Sequence, residues 1–449
     1  MIGEILDTST TIVAPATASG GAVMVVRLSG MQAIEIADRM YRGRRKLSDA
    51  EGYTLHYGRI IDSNEQTIDD VVVALFRAPH SYTGDDTVEI TLHGSEYITS
   101  EVLRLAIDNG AVMATPGEFT RRAFLSGKMD LSRAEAVADI IASDSRWSHM
   151  VASTQMRGNY SAKLGELRSE LLRLCSLLEL ELDFSEEDVE FADRKMLRSL
   201  LVEVDNQINR LCSSFAIGNV LKNGVTVAII GRPNVGKSTL LNVLVEDDRA
   251  MVSDIAGTTR DTIEATTIID GIRYRFIDTA GIHQTTDRLE QMGIERTHRT
   301  MSNASIILHL TTAEEPTFED VELGPEQHYV RVVNKIDRCA KDRYDSDVIP
   351  ISAQQGTGIT MLRERLRSIV DTRGLDSGSV VVTNMRHYAA LKSAHESLSD
   401  ALQAVDSNLS GDLISEDIRR ILHHLGEITG EITSDDILHT IFSHFCIGK

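Results

Sequence analysis

Apolar and polar positions follow three textures along the chain. Up to about residue 118, short β-like runs such as Ala22–Leu28 (AVMVVRL), Asp70–Phe76 (DVVVALF) and Thr87–Leu92 (TVEITL) are separated by turns at Gly20-Gly21, Ser29-Gly30 and Thr83-Gly84. Helical stretches at Met31–Tyr41 and Glu101–Asn109 lie between them, which predicts a small α+β domain. From Glu118 the texture turns helical. Leu164, Leu167, Leu171, Leu174 and Leu178 recur at alternating steps of three and four, the spacing that puts them on one helix face. Leu197 to Leu211 repeats the pattern, and the acidic run Asp183–Glu190 between the two reads as a solvated connection.

From Val225 to about Arg373 short apolar runs (Val225–Ile230, Arg273–Ile277, Ser305–Leu310, Tyr329–Val333, Val348–Ile351) alternate with loops and helical stretches. That alternation predicts a doubly wound parallel sheet. After Ser377 the chain is helical again, with Ser434 as the predicted N-cap of a last helix carrying Ile437, Leu438, Ile441 and Phe442. The economical arrangement is an α/β domain inserted into a helical domain. The predicted segments are 1–118 (α+β), 119–215 (helical, first part), 216–375 (α/β) and 376–449 (helical, second part).

Composition narrows the class. Lys and Arg number 46 against 67 Asp and Glu, a formal charge of −21, which argues against a general nucleic-acid coat protein. The cysteines Cys175, Cys212, Cys339 and Cys446 form no CxxC pair and no zinc spacing, and no apolar run approaches the roughly 18 residues of a membrane span. A soluble protein of a reducing, cytoplasmic compartment is expected.

Gly231-Arg-Pro-Asn-Val-Gly236-Lys237-Ser238 matches GxxxxGK[ST] and stands between a β run and a helical run, the context a phosphate-binding loop requires. Backbone N–H groups of such a loop curl around the β-phosphate, Lys237 supplies charge to the β- and γ-phosphates, and Ser238 is a Mg²⁺ ligand. Asp278-Thr279-Ala280-Gly281 follows, the acid suited to water-mediated Mg²⁺ contact and the Gly281 N–H to the γ-phosphate. Asn334-Lys335-Ile-Asp337 ends another run. Its carboxylate can accept from both the ring N–H and the exocyclic amine of guanine, which selects GTP over ATP. Ser352-Ala353 then closes over the base. GTPases of the small signalling type place Gln directly after the DxxG glycine. Here that residue is Ile282, which leaves His283, Gln284 and Glu290 as candidates to orient water, and no arginine finger is assignable, Arg260 included.

These motifs, with SDIAGTTRD (Ser253–Asp261), DTAGI and the C-terminal Phe445-Cys446-Ile447-Gly448-Lys449, resemble the MnmE (TrmE) family of tRNA-modification GTPases. VRLSG (Val26–Gly30), SYTGDDTVE (Ser81–Glu89), LHG (Leu92–Gly94) and TPGEFTRRAFLSGKMDLSRAEAVADII (Thr115–Ile141) extend the resemblance over the whole chain. The resemblance implies an N-terminal dimerising domain like folate-binding folds, a discontinuous helical domain and an inserted Ras-like P-loop G domain. It implies a GTPase that, with a flavoprotein partner of the MnmG (GidA) type carrying FAD, forms a heterotetramer. That complex installs an aminomethyl or carboxymethylaminomethyl group at carbon 5 of the wobble uridine of certain tRNAs. The one-carbon unit comes from 5-formyl- or methylene-tetrahydrofolate.

By motif match, Arg27, Glu89, Lys128 and Lys449 hold the folate. The nucleotide contacts are Asn234, Val235, Gly236, Lys237, Ser238 and Thr239; Ser253, Asp254, Ile255, Ala256, Gly257, Thr258 and Thr259; Asp278 to Gly281; Asn334, Lys335 and Asp337; and Ser352 and Ala353. Asn234, Ser253, Ile255 and Thr258 match the family's K⁺ ligands, Thr259 joins Ser238 at Mg²⁺, and Glu290 matches the acid that orients water through a second water. The family's G domains dimerise across the nucleotide, which gives K⁺-stimulated hydrolysis. Ser253, Ile282-His283, Ser95 and Ser19 depart from the family's usual residues. A different class, an Era-like GTPase switch in ribosome assembly, shares the G motifs but not the N-terminal and C-terminal ones.

Overall fold

The computed structural model describes residues 10–183, 194–246, 264–278, 301–325, 327–339, 344–370, 372, 375 and 378–449. The chain divides into two compact units. One runs through Ala138 and adds Ser161–Leu172 and Arg419–Lys449; the other comprises Asp139–Tyr160 and Arg173–Ile418.

The first unit is built on a seven-stranded sheet of β1 (Ile12–Pro15), β2 (Val23–Ser29), β3 (Tyr41–Gly43), β4 (Thr54–Ile61), β5 (Thr67–Phe76), β6 (Thr87–His93) and β7 (Val112–Met113). Their order is β3-β4-β5-β6-β2-β1-β7, with only β1 and β7 parallel. Side chains alternate across a pleated strand. In β5, Val71, Val73 and Leu75 are accordingly buried while Asp70 and Val72 are exposed. The buried face packs with Ile36 and Met40 of the helix Ala33–Met40 and Val102 and Leu105 of the helix Glu96–Asp108. The register sets Leu55, Ala74, Glu89 and Arg27 in one row on the opposite face, and Tyr57, Val72, Thr91 and Val25 in the next.

The final helix, Asp435–Ser443, is capped by the Ser434 hydroxyl, which accepts from Ile437 N–H at 3.4 Å, as predicted. Its Leu438 and Phe442, with Phe445, share a core with Leu131 and Ala134.

The second unit holds a six-stranded sheet of β8 (Val225–Ile230), β9 (Glu264–Ile269), β10 (Ile272–Asp278), β11 (Ile306–Thr312), β12 (His328–Asn334) and β13 (Val348–Pro350), in the order β13-β12-β11-β8-β10-β9. All pairs are parallel except β9 with β10. The apolar runs foretold the five parallel strands. β9 reads EATTII, too polar for a buried strand, and its partnership rests on the tight turn Asp270-Gly271, both residues at positive φ. In the same unit, the helices Arg194–Ser213 and Met385–Asp406 are tied to each other by Arg198 to Asp406 at 2.6 Å and by His395 to Asp205 at 2.7 Å.

The helix Asn159–Asp183 contains the predicted leucine stripe, and Leu164, Leu167, Leu171, Leu174 and Leu178 are all buried. Among the described residues no helix is long and apolar enough to cross a membrane.

Candidate functional site

β8 is followed directly by Gly231, whose φ of +143° is open mainly to glycine. A Cβ there would stand 2.2 Å from the Leu310 carbonyl of the neighbouring β11. Gly236, at φ +98°, is equally constrained, because its Cβ would lie 2.4 Å from Asn334 Nδ2. The two glycines of the motif therefore sit where the loop must press against β11 and β12. The helix Lys237–Glu246 starts directly after it, and its first turn lines a cavity of about 620 Å³. Asn234, Gly236, Lys237, Ser238 and Thr239 face that cavity together with Asn334, Lys335, Asp337 and Ala353.

Asn334 joins the three loops. Its Nδ2 donates to the Val235 carbonyl at 2.8 Å, while Oδ1 accepts from Lys335 N–H at 2.8 Å and Ala353 N–H at 3.0 Å. It is buried, so each of these bonds replaces water that cannot reach the group. Lys335 takes a left-handed backbone, and its ammonium donates to the Asn234 carbonyl at 2.5 Å. Ser352, fully buried, donates from Oγ to Asp337 Oδ1 at 2.6 Å and accepts from Gln355 N–H at 3.3 Å. That hydroxyl is the main reason the exposed Asp337 carboxyl is held below the usual carboxylate range. An ionised acceptor aimed into the cavity is what a pair of guanine N–H donors requires. Lys237 Nζ donates to the Gly231 and Arg232 carbonyls at 2.5 and 3.1 Å.

Val235 and Ser352 support the cavity from behind rather than lining it. Pro233, Arg338 and Gln354 line it without having been predicted, and their place beside a motif is the one signal the sequence offers for them. The register places Asp278 beside Ile229 at the end of β8. The Asp278 side chain and Ser253, Asp254, Ile255, Ala256, Gly257, Thr258, Thr259, Thr279, Ala280, Gly281 and Glu290 lie outside the described residues. So do Arg260, His283 and Gln284, and residues 184–190 of the acidic run Asp183–Glu190.

The first unit gathers a second set. Arg27 Nε donates to Glu89 Oε1 at 2.8 Å, and its Nη1 donates to the Gly448 carbonyl at 3.3 Å. The guanidinium lies 5.8 Å from the Tyr82 ring centre and 5.5 Å from that of Phe119, a cation–π arrangement. Tyr82 and Phe119 lie within motifs quoted above, but nothing in a linear sequence marks them as partners of Arg27. Lys128 donates from Nζ to the Pro79 carbonyl, and Ser126 Oγ pins the same loop through the Thr83 carbonyl at 2.6 Å. The C-terminal tail thus meets Arg27 through Gly448 rather than through the Lys449 side chain.

Gly448 has φ +93°, and a Cβ there would stand 2.0 Å from the Pro15 carbonyl. Gly448→Val is expected to expel the tail from Arg27 and to cost about 1–3 kcal/mol of local stability. Hydrogen exchange of the Phe442–Lys449 amides checks this: protection should fall, with the second unit unchanged.

A G-domain sheet, a glycine-built phosphate loop and an oriented carboxylate define a P-loop protein that binds guanine nucleotide. Comparison with known proteins agrees and goes further. The family description "MnmE helical domain" matches residues 131–446, and "GTP-binding protein TrmE N-terminus" matches residues 11–128. The tRNA modification GTPase MnmE of Bacteroides fragilis is 48% identical over 98% of this chain and 99% of its own. The protein of the same name from Cytophaga hutchinsonii is 47% identical over 98% of each chain. Among solved structures, Era of Aquifex aeolicus bound to GDP·AlF4⁻ is 24% identical over 38% of this chain and 66% of its own, with a TM-score of 0.25. The chain belongs to the MnmE (TrmE) family.

Proposed function

We propose that this protein is the GTP-hydrolysing subunit of a tRNA-modifying complex that adds an aminomethyl or carboxymethylaminomethyl group to carbon 5 of the wobble uridine. The observation that carries the reading is the likeness to relatives named tRNA modification GTPase over almost the whole of both chains. The G motifs alone would serve an Era-like switch equally well. Within the reading, 1–118 is the dimerising domain, 119–215 and 376–449 are the two helical parts, 216–375 is the G domain, and the protein works in the cytoplasm.

At the nucleotide, Lys237 brings a positive charge to the mouth of the loop and Asp337 reads guanine. Ser238 offers a hydroxyl at the first turn of its helix, which with Thr259 suits Mg²⁺; Asn234, Ser253, Ile255 and Thr258 are assigned to K⁺. Bound there, the two cations offset charge that develops between the β- and γ-phosphates, as an arginine finger would. Ile282 cannot orient water, and Glu290 is assigned that task. In the first unit, Arg27 and Lys128 offer cations beside the Pro79–Gly84 loop and Glu89 a carboxylate next to Arg27, with Lys449 following Gly448 in sequence. This donor set suits a folate, whose glutamate is anionic and whose pterin carries N–H donors. Leu55, Tyr57 and Val72 are exposed on the open sheet face, which supports a second copy as its cover. A flavoprotein carrying FAD supplies the redox part of the chemistry.

GTP hydrolysis is expected to be strongly faster in KCl than in NaCl at matched ionic strength, with the stimulation lost in Asn234→Ala. Equal slow rates in both salts would overturn the K⁺ assignment. Nucleoside mass spectrometry of tRNA from cells lacking the protein tests the larger reading: the carbon-5 modification should vanish, and its persistence would overturn the function proposed.

A further inference from the structure

At the free edge of the seven-stranded sheet, β3 and the turn after it expose Arg42, Arg44, Arg45 and Lys46. In a chain of formal charge −21 such a run is against the overall composition. The turn is firmly anchored. Asp38 accepts from Leu47 N–H at 2.6 Å with one carboxylate oxygen and from Ser48 N–H at 2.9 Å with the other. The Leu47 side chain is fully buried in the unit's core. These anchors hold the base of the turn and leave residues 44–46 facing outward.

The register then sets Arg42 directly across from Arg59. Like charges opposed on an antiparallel ladder destabilise it. Arg59 answers with Asp70 at 3.4 Å, and Arg42 folds back on the carbonyls of Tyr41, Arg39 and Asp38 at 2.9, 3.3 and 3.4 Å. Arg44, Arg45 and Lys46 make no hydrogen bond or ion pair among the described residues, although Asp49 and Glu51 follow closely in sequence. Arg45 does lie near enough to the buried His56 for its charge to help burial lower that imidazole's pKa.

We infer that this corner of the sheet binds the phosphodiester backbone of RNA, with Arg44, Arg45 and Lys46 as its contacts. Adjacent unpaired cations on an anchored turn release counterions when they meet successive phosphates, and Arg presents its donors as a fork that fits one phosphate. The loss of side-chain freedom is confined to these three residues, because the backbone is already held. An acidic protein that must take a tRNA needs such a local patch, so the inference rests on the function proposed above and deepens it by naming where the substrate is gripped.

The test is the affinity of the full-length protein for an unmodified tRNA transcript, measured by filter binding from about 50 to 200 mM KCl. The triple variant R44A/R45A/K46A should bind about tenfold to a thousandfold more weakly, with the slope of log affinity against log salt shallower by about 2–3. R44K/R45K should retain most of the slope, since charge is kept. GTP hydrolysis should be unchanged in all variants, which reports an intact fold. Equal affinity and slope in wild type and triple variant would overturn the inference, as would no measurable wild-type binding. Normal tRNA binding with lost association to the flavoprotein would make the corner a protein-docking surface, and the inference would fall. Persistence of the wobble modification in cells lacking the protein would overturn the function but not a salt-dependent, patch-dependent grip on RNA, so the two failures are separable.

Discussion

Asn334→Ala is expected to reduce guanine-nucleotide affinity by about a hundredfold or more and to destabilise the second unit. The amide holds the Val235 carbonyl and the N–H groups of Lys335 and Ala353 from a buried position. Removing it strands three backbone groups, each at about 1–3 kcal/mol, a total of about 2–6 kcal/mol if water reaches one of them. That energy is drawn from the loops that hold the phosphates and the base, so binding and stability should fall together. Titration with a fluorescent GDP analogue, beside denaturant unfolding of the same sample, measures both. Asn334→Asp keeps the acceptor toward Lys335 and Ala353 but turns a carboxylate oxygen toward the Val235 carbonyl, and should be nearly as damaging. Unchanged affinity in both variants would show that the loops hold themselves in place without this side chain.

Asp337→Asn is expected to exchange the nucleotide preference without harming the fold. The carboxylate is exposed and braced by Ser352 Oγ at 2.6 Å, so it is oriented before the base arrives. Two charge-assisted bonds to guanine are worth about 1.5–3 kcal/mol each. GTP affinity should therefore drop by about 10²–10⁴-fold. The introduced amide can donate to the carbonyl that xanthine carries in place of guanine's amino group, so affinity for XTP should rise while the melting temperature stays within a degree or two. Competition binding with GTP, XTP and ATP decides it. A variant that lost GTP without gaining XTP would indicate that the Ser352–Asp337 pair, rather than the acceptor character of residue 337, sets the specificity.

These two residues also show how far the sequence could be read. NKID and Ser352-Ala353 were recognisable as base-contacting motifs because the chemistry of guanine demands an acceptor pair there. Their mutual arrangement was not, because it depends on Asn334 standing at the end of β12 while Val235 and Ala353 arrive from loops about 99 and 19 residues away. The five parallel strands announced themselves as apolar runs bounded by turns. β9 did not, since an edge strand needs only one partner and tolerates the Thr-rich EATTII. In the first unit, β4 was hidden because its exposed face carries Leu55 and Tyr57 and its buried face includes His56 and Gly58, which blurs the alternation.

The sequence by itself determined the elements whose physics is local: the leucine stripe of Asn159–Asp183, the Ser434 cap, the glycine spacing of the phosphate loop and the order of the nucleotide motifs. Each depends on side-chain periodicity or on a backbone conformation that few residues adopt. Only the tertiary structure decided that Arg27 would meet the carbonyl of Gly448, 421 positions later, between the rings of Tyr82 and Phe119. It alone placed Arg42 opposite Arg59 and anchored the basic turn through Asp38 and Leu47. Such contacts join residues with no fixed spacing. They exist because sheet register and core burial bring distant segments together, and neither is written in any short stretch of chain.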